Sequence, residues 1–273
     1  MQGNLDGITR ICCKTWTEFL DNVRHQPRFG IERWFRGQRL MEWNLSASLF
    51  RQEKEDADSC LDLINDFSKS VLAVPEYRHL ATLDPLEWWA LAQHHGMPTP
   101  LLDWTINPYV AAFFAFADAL QTSMPGFGKV SPGKVAFPEA PIAIWEFSWN
   151  GELETKEPDL QLVHKGMLTN ARQRAQGGRF TQIVGTSAQD LIQFLRDRKA
   201  TAALRVFEID GAVMQDAMSD FALMNLSYAT LYPDLDGIAR NCILDRRSRG
   251  LVMLHAMFKP MLSPDTGLRI PSQ

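Results

Sequence analysis

One helix-forming segment constrains the architecture more than any other feature of the sequence. Asn107-Pro108 places a capping side chain directly before a proline, which is a typical start of a helix. The residues that follow, Tyr109–Leu120, are apolar on nearly every side of that helix. Since a helix that is apolar all round cannot face water, we expect this one to be deeply buried.

Hydrophobic periodicity and turn residues along the rest of the chain predict an α+β fold. Helices are predicted at residues 15–25, 61–74, 84–96, 187–198, 213–225 and 233–243, and strands at 31–37, 141–148 and 202–209. The first of these strands is expected to end in a turn at Gly37. The prediction is a helix-rich single domain around a small mixed or antiparallel sheet. It has an N-terminal helical lead-in at 1–29, the domain itself at 30–260 and a tail at 261–273. Residues 122–140 are rich in Gly, Pro and Ser and are expected to form an exposed, mobile loop.

The composition excludes several classes of protein. The chain has 273 residues, with 28 Lys and Arg against 32 Asp and Glu, so its formal net charge is −4. That balance argues against a protein that holds nucleic acid by a general basic surface. With 45% apolar and 22% charged residues, the chain has the composition of a globular protein with an ample core, not that of a disordered or coiled-coil chain.

The cysteines and the longest apolar run indicate a cytoplasmic location. Cys12, Cys13, Cys60 and Cys242 form no C-x-x-C pair, which suits neither a zinc site nor a disulfide framework. We interpret them as reduced thiols of the core. The longest apolar run, Tyr109–Ala117, is far shorter than the roughly 20 residues that cross a bilayer. We therefore expect a soluble, cytoplasmic protein without membrane contact.

An arginine stands at the end of the first predicted strand, in the segment Trp34–Gln38. Arg36 follows two aromatic residues and precedes Gly37. A guanidinium that emerges from an apolar strand beside a glycine can hold a phosphate or carboxylate through two hydrogen bonds. The same residue can equally pair with a carboxylate of the protein at the edge of the core, and the sequence leaves both interpretations open.

A second segment, Leu91–Ala115, gathers polar residues around a turn that leads into the buried helix. It contains Gln93, Asp103, Trp104 and Thr105. The N-terminus of a helix presents free N–H groups and suits anionic ligands. In a purely structural interpretation, Asp103 caps a turn and Trp104 packs in the core.

Two further features have structural explanations. Adjacent residues on a helix point about 100° apart, so one of His94 and His95 is expected to be packed and the other exposed, and we assign no metal. In Leu231–Arg240, a proline is expected to open a helix. Asp234 and Asp236 fall in its first turn, where carboxylates stabilise the helix dipole.

Several segments occur in the order of a known family. They are Phe35–Gln38, Trp43–Arg51, Leu91–Ala115, Gln176–Thr181 and Leu231–Arg240. On these segments the chain, from about residue 30 to 243, resembles the FRG domain family, which is named for its Phe-Arg-Gly motif. The block from Gln-His-His-Gly to Leu-Leu-Asp-Trp-Thr is the most specific part. The family usually carries an arginine directly before Leu-Leu-Asp-Trp-Thr, where this chain has Pro100.

The motif layout of FRG domains is similar to that of the ADP-ribosyltransferase superfamily, and the resemblance implies NAD as substrate and no metal. It implies that Arg36 holds the pyrophosphate or the adenosine-side ribose and that Thr105 hydrogen-bonds the nicotinamide-side ribose. Trp104 or an adjacent aromatic residue would flank the nicotinamide ring. The implied NAD-binding residues are Arg36, Gly37, Gln38, Gln93, Asp103, Trp104 and Thr105.

The resemblance leaves the carboxylate of such a site unassigned. Transferases of the superfamily carry a glutamate on the third strand, and by motif order this chain offers Gln176, which cannot act as a general base. Glu146 and Glu208 lie on predicted strands and are alternatives, although both suit surface or edge positions. Asp236 is a further candidate. The implied catalytic residues are Arg36, Thr105, Gln176 and Asp236.

Three functions from different classes are considered, and the first two follow from the resemblance. The first is an NAD-dependent ADP-ribosyltransferase-like enzyme that modifies a macromolecular acceptor (RNA, DNA or protein) in a toxin or phage-defence role, with a possible partner or antitoxin protein. The second is a non-catalytic FRG module that binds a nucleotide or a partner protein, which Pro100 and Gln176 favour. The third is a nucleic-acid-processing enzyme in which Arg172, Arg174 and Arg179 contact phosphate, although such a cluster is more often a solvated face.

Overall fold

A computed structural model of the chain describes residues 2–5, 7–24, 31–52, 57–123, 141–149, 153, 156–163, 171–184 and 189–258. Most of the loop expected at 122–140 and the tail expected at 261–273 lie outside the described residues. Within them, no helix combines the length and the apolar character that crossing a membrane requires.

The predicted α+β class is confirmed, and the strands form one mixed sheet of eight strands. They are β1 (Gln2–Leu5), β2 (Ile8–Cys13), β3 (Glu32–Gln38), β4 (Leu102–Thr105), β5 (Ile142–Trp149), β6 (Leu160–Val163), β7 (Gly178–Ile183) and β8 (Leu204–Ile209). Their order across the sheet is β1-β2-β8-β5-β3-β4-β7-β6. Neighbouring strands run antiparallel except β2 and β8, which are parallel.

Helices cover both faces of the sheet. They are α1 (Trp16–Arg24), α2 (Ser48–Gln52), α3 (Ala57–Ala73), α4 (Pro85–His94), α5 (Pro108–Ser123), α6 (Ala171–Gln176), α7 (Leu191–Asp197), α8 (Met214–Leu223), α9 (Tyr228–Leu231) and α10 (Leu235–Phe258). A 3-10 helix, Pro75–Thr82, links α3 to α4.

The expected buried helix is the centre of the larger core. Asn107 accepts a hydrogen bond from the Tyr109 N–H (2.9 Å) and so begins α5 as predicted. Phe113 and Phe116 of α5 are almost fully buried and pack with α1, α8, α9 and one face of the sheet. On the other face, α7 covers a second core that includes Trp34, Trp145 and Phe147. The apolar character of α5 on every side is therefore explained by neighbours on every side.

Other sequence-based expectations hold at helix α4 but need correction at several boundaries. Asp84 and Glu87 form the capping box that begins α4. The helix expected from 187 begins at Leu191, because the Asp190 carboxylate caps it by accepting from the Gln193 N–H (2.9 Å). The helix expected from 233 begins at Leu235 and continues to Phe258.

The sheet is larger than the sequence indicated. The lead-in at 1–29 contains the expected α1, but it also contributes β1 and β2, and β2 joins the sheet beside β8. Strands β4, β6 and β7 also lie where no strand was predicted, since two of them have only four residues and show little alternation.

The expectation of core thiols holds for Cys13, which is buried, and is wrong for Cys12 and Cys242, which are exposed. Burial raises the pKa of the Cys13 thiol to about 12.

The sheet is nearly divided between β3 and β4. Along its whole length β3 pairs with β5, yet it pairs with β4 only at Phe35 and Thr105. Five strands therefore lie on one side of this junction and three on the other. Beyond the single pair, the facing edges of β3 and β4 are free to line a cleft.

Gly37 lies within β3, so the turn that was expected there is wrong. A Cβ atom built on Gly37 would lie 1.9 Å from the carbonyl oxygen of Ala111, which belongs to the backbone of α5. Only a glycine allows the buried helix to approach the strand this closely.

We expect Gly37→Ala to lower the free energy of unfolding by about 3 kcal/mol, because the clash is with backbone and not with a movable side chain. Urea unfolding at equilibrium measures the change. Gly96→Ala is the matched control, since a Cβ there meets nothing within 4 Å. Only the positive φ of 87° opposes this substitution, and it should lower the free energy of unfolding by about 1–2 kcal/mol. Equal losses in both variants would contradict the steric explanation.

Candidate ligand-binding cleft

A cleft of about 350 Å³ opens where β3 and β4 separate. One wall comes from β3, β4, α4 and α5, and the other from α6, β7 and Tyr232. Its charged side chains are Arg36, Arg172, Arg179 and Asp103, and its aromatic residues include Phe35, Phe114, Phe180 and Tyr232. The cleft thus combines apolar walls with a small number of charged groups, which is typical of small-molecule sites.

Arg36 crosses the opening between the two strands. Its Nη1 donates to the backbone carbonyl of Asp103 (2.9 Å), and the same atom lies 3.8 Å from the Asp103 carboxylate. Its side chain is only 15% exposed, and its Nε has no hydrogen-bond partner among the described residues. Burial lowers the pKa of Arg36 to about 10, with Arg51 acting in the same direction and Asp103 opposing the shift. Arg36 is thus a charged group with most of its N–H donors still available to a ligand.

The Asp103 carboxylate is held by a chain of two hydrogen bonds. Gln93 donates to one oxygen of its carboxylate, and the buried Thr99 hydroxyl in turn donates to the amide oxygen of Gln93. The side chain of Asp103 is 59% exposed and faces the concave cleft. Partial desolvation by the surrounding protein raises the pKa of Asp103, while the nearby charges of Arg36 and Arg51 lower it. The carboxylate is therefore positioned by a relay of hydrogen bonds that begins in the core.

Thr105 and Gln176, which both line the cleft, are hydrogen-bonded to each other. The Thr105 hydroxyl donates to the backbone carbonyl of Gln176 (2.6 Å) and accepts from the Asn107 N–H (3.0 Å). The Gln176 side chain donates to the backbone carbonyl of Leu231 (3.1 Å). Both residues line the cleft, but their hydrogen bonds connect β4, α6 and α9 to one another. Their main contribution is to fix the shape of the cleft.

Trp104 does not offer its ring to the cleft. It is 3% exposed, its indole N–H donates to Thr181 Oγ1 (3.0 Å), and its ring packs against Phe147 in the core on the other face of the sheet. Alternation along β4 explains this, because Leu102 and Trp104 point to one face and Asp103 to the other. The ring implied beside nicotinamide must come from elsewhere, and Tyr232 and Phe114 are aromatic residues that do line the cleft.

The second wall carries arginines that sequence reasoning had interpreted mainly as a solvated face. Arg172 pairs with Asp234 and Asp236 (3.6 Å to the latter) and stacks on Tyr232 at 4.9 Å from the ring centre. Arg179 donates to the carbonyl of Gly178 (2.9 Å), and its buried Nε has no hydrogen-bond partner in the described part of the chain. The charge of Arg172 is largely balanced, whereas no carboxylate of the described residues pairs with Arg179.

Comparison with known proteins yields one match. Residues 32–123 match the family model of the FRG domain. The FRG segment, as we call these residues, runs from β3 to α5 and supplies Arg36, Gln93, Asp103 and Thr105 to the cleft. The second wall, with Arg172 and Gln176, lies outside it. No curated protein and no solved structure matches the chain.

Of the other carboxylates considered, none lines the cleft. Glu146 is 1% exposed and is held between Arg33 and Arg205 of the neighbouring strands, so it is neither a surface nor an edge residue. Glu208 lies on β8, an inner strand of the sheet, and pairs with Arg10 of β2. Asp236 pairs with Arg172 and Arg240 behind the second wall. Asp103 of the FRG segment is the one acidic residue among those that line the cleft.

Gln38 serves the core instead of the cleft. It is 3% exposed, its side-chain oxygen accepts from the Trp145 indole N–H (3.0 Å), and its amide donates to the backbone carbonyl of Asn44 (3.2 Å).

Within the described residues, no three His, Cys, Asp or Glu side chains are grouped so that they could hold a metal ion.

Proposed function

We propose that the protein binds NAD in this cleft and transfers its ADP-ribose group to a macromolecular acceptor. The observation that carries the proposal is the presence, in one cleft, of a buried guanidinium and a single carboxylate, Arg36 and Asp103. A guanidinium binds a pyrophosphate through paired hydrogen bonds. A carboxylate stabilises the positive charge that develops on a ribose as its glycosidic bond breaks. The match of residues 32–123 to the FRG domain supports the proposal, because both residues lie in that segment.

In the proposed reaction, the bond between ribose C1′ and the nicotinamide nitrogen breaks, and nicotinamide leaves with the bonding electrons. A nucleophile of the acceptor forms a new bond to C1′ and releases a proton. Asp103 stabilises the ribose while it carries positive charge. His94 lines the same cleft, and its pKa is lowered by burial and by the charge of Arg172. A neutral imidazole near pH 7 is therefore available to accept the released proton.

A nucleotide-binding module without turnover is the second candidate. It is favoured by the hydrogen bonds of Thr105 and Gln176, because the Thr105 hydroxyl and an N–H of the Gln176 amide are already bound to backbone carbonyls of the protein. In that case Arg36 and Asp103 would bind the ligand without a chemical step.

The test that separates these functions is the release of nicotinamide from NAD by the purified protein. We expect wild-type protein to release nicotinamide, and one class of acceptor among RNA, DNA and protein to increase the rate. Arg36→Ala is expected to weaken NAD binding about 10- to 100-fold, since charged hydrogen bonds to the pyrophosphate are lost. Chromatography of the products and calorimetric titration of NAD measure the two effects.

Arg249→Ala is the control, because it removes an exposed arginine of α10 that does not line the cleft. Absence of release, with NAD still raising the melting temperature, would establish the binding module. Absence of both release and a thermal shift would contradict NAD as the ligand.

A further inference from the structure

A second cavity of about 600 Å³ adjoins the cleft. We call it the Trp43 groove, and its characteristic side chains are Arg39, Trp43 and Arg51, with Glu42 and Asn44 exposed at its rim. It shares Arg36, Gly37 and Phe114 with the cleft. The two cavities therefore meet at the Arg36 guanidinium.

Trp43 offers a surface on which a planar ring can stack. The Arg39 guanidinium lies over the indole, 4.7 Å from the ring centre, and is the only group among the described residues that stacks on the Trp43 ring. Asp118 pairs with Arg39 (3.2 Å) and holds it in place. Indole and guanidinium planes both stack on nucleobases with little dependence on sequence.

Arg51 adds a positive charge at the junction with the cleft. It is exposed, and no carboxylate of the described residues forms an ion pair with it. Its charge lowers the pKa values of both Arg36 and Asp103, so it acts at the same point as the Arg36 guanidinium. Two phosphates joined to each other are matched by two such cations side by side.

We infer that the Trp43 groove is the adenosine subsite of a dinucleotide site, with the pyrophosphate at Arg36 and Arg51 and the nicotinamide half in the cleft. This inference rests on the proposed function. The adenine base stacks on Trp43, the Asn44 amide reaches the hydrogen-bonding edge of the base, and the Glu42 carboxylate accepts from ribose hydroxyls. Each half of the ligand then has a cavity of its own, of about 600 and 350 Å³.

The experiment is calorimetric titration with NAD, ADP-ribose and nicotinamide mononucleotide. For Trp43→Ala we expect NAD and ADP-ribose to bind about tenfold more weakly, as loss of one stacked base predicts, and nicotinamide mononucleotide to bind as before. Trp43→Phe keeps an aromatic ring and should retain most of the affinity. Tyr77→Ala, which removes an exposed aromatic ring from the 3-10 helix after α3, is the matched control and should bind all three ligands as wild type does.

The titrations separate the inference from the function on which it rests. Unchanged binding of NAD and ADP-ribose to Trp43→Ala would overturn the adenosine subsite while leaving NAD binding intact. An equal loss for nicotinamide mononucleotide would also overturn it, because the groove would then not be specific to the adenosine half. Failure of wild-type protein to bind NAD at all would instead remove the proposed function. Melting temperatures of the variants establish that each is folded.

Discussion

Asp103→Asn is expected to lower nicotinamide release about 100- to 1000-fold, the usual cost of removing one group that stabilises charge in the transition state. Asparagine keeps an oxygen that accepts the hydrogen bond from Gln93, so the change removes the charge and little else. The affinity for NAD should change much less than the rate, because the positive charge develops on the ribose only during the reaction. Rate measurements under saturating NAD, together with calorimetric titration, distinguish the two effects.

The pH dependence of the wild-type rate provides an independent measure of the same group. The pKa of Asp103 is raised by its desolvation in the cleft. The rate should therefore fall as the pH is lowered through this raised pKa, since the neutral acid no longer stabilises the ribose cation, and Asp103→Asn should lose this part of the profile. Asp66→Asn removes an exposed carboxylate of α3 and serves as the control. A turnover near wild type in Asp103→Asn would exclude Asp103 from the chemical step.

The largest loss of stability is expected for Glu146→Ala. Glu146 receives hydrogen bonds from Arg33 (3.0 and 2.8 Å) and from Arg205 (2.6 and 2.7 Å), and it is 1% exposed. The three side chains lie on neighbouring strands, β3, β5 and β8. Without the carboxylate, two guanidinium groups remain close together with no charge between them. We expect the variant to lose about 3–5 kcal/mol in free energy of unfolding.

At about 2–4 °C per kcal/mol for a chain of this size, the corresponding fall in melting temperature is roughly 10 °C. Calorimetric melting measures it. Glu146→Gln keeps hydrogen-bond acceptors and should lose less, while Asp66→Ala, at an exposed position, should change stability by less than about 0.5 kcal/mol. If Glu146→Ala melted like Asp66→Ala, the ion triad would not stabilise the sheet.

Local signals in the sequence were enough to predict the central helix and its surroundings. Asn107-Pro108 and the capping box at Asp84 fix the starts of α5 and α4, because the hydrogen bonds that begin these helices come from residues next to them in sequence. The short strands β4 and β6 carry no comparable signal. They exist because strands distant in sequence pair with them, which local patterns do not encode.

The candidate site was predictable in part. The resemblance to the FRG family brought Arg36, Gln93, Asp103 and Thr105 into one proposed site, and the structure places them around one cleft. It named Gln176 of the second wall but gave Arg172 and Arg179 no role in binding NAD, since this wall reaches the cleft through the pairing of β7 with β4. Alternation along β4 could have predicted that the Trp104 ring points into the core and away from the cleft. The burial of Glu146 could not be predicted locally, because its ion-pair partners come from two other strands.

The parallel pair formed by β2 and β8 has a consequence for the newly made chain. Cys12 and its neighbour across the ladder, Glu208, are separated by 196 residues. At about 5–20 residues per second, a ribosome needs roughly 10–40 s to make the second strand after the first. During that interval β2 can pair with β1 but not with β8, and slow pairing between strands so far apart in sequence exposes a chain to aggregation. The β2–β8 ladder therefore forms only after the other seven strands of the sheet have been made.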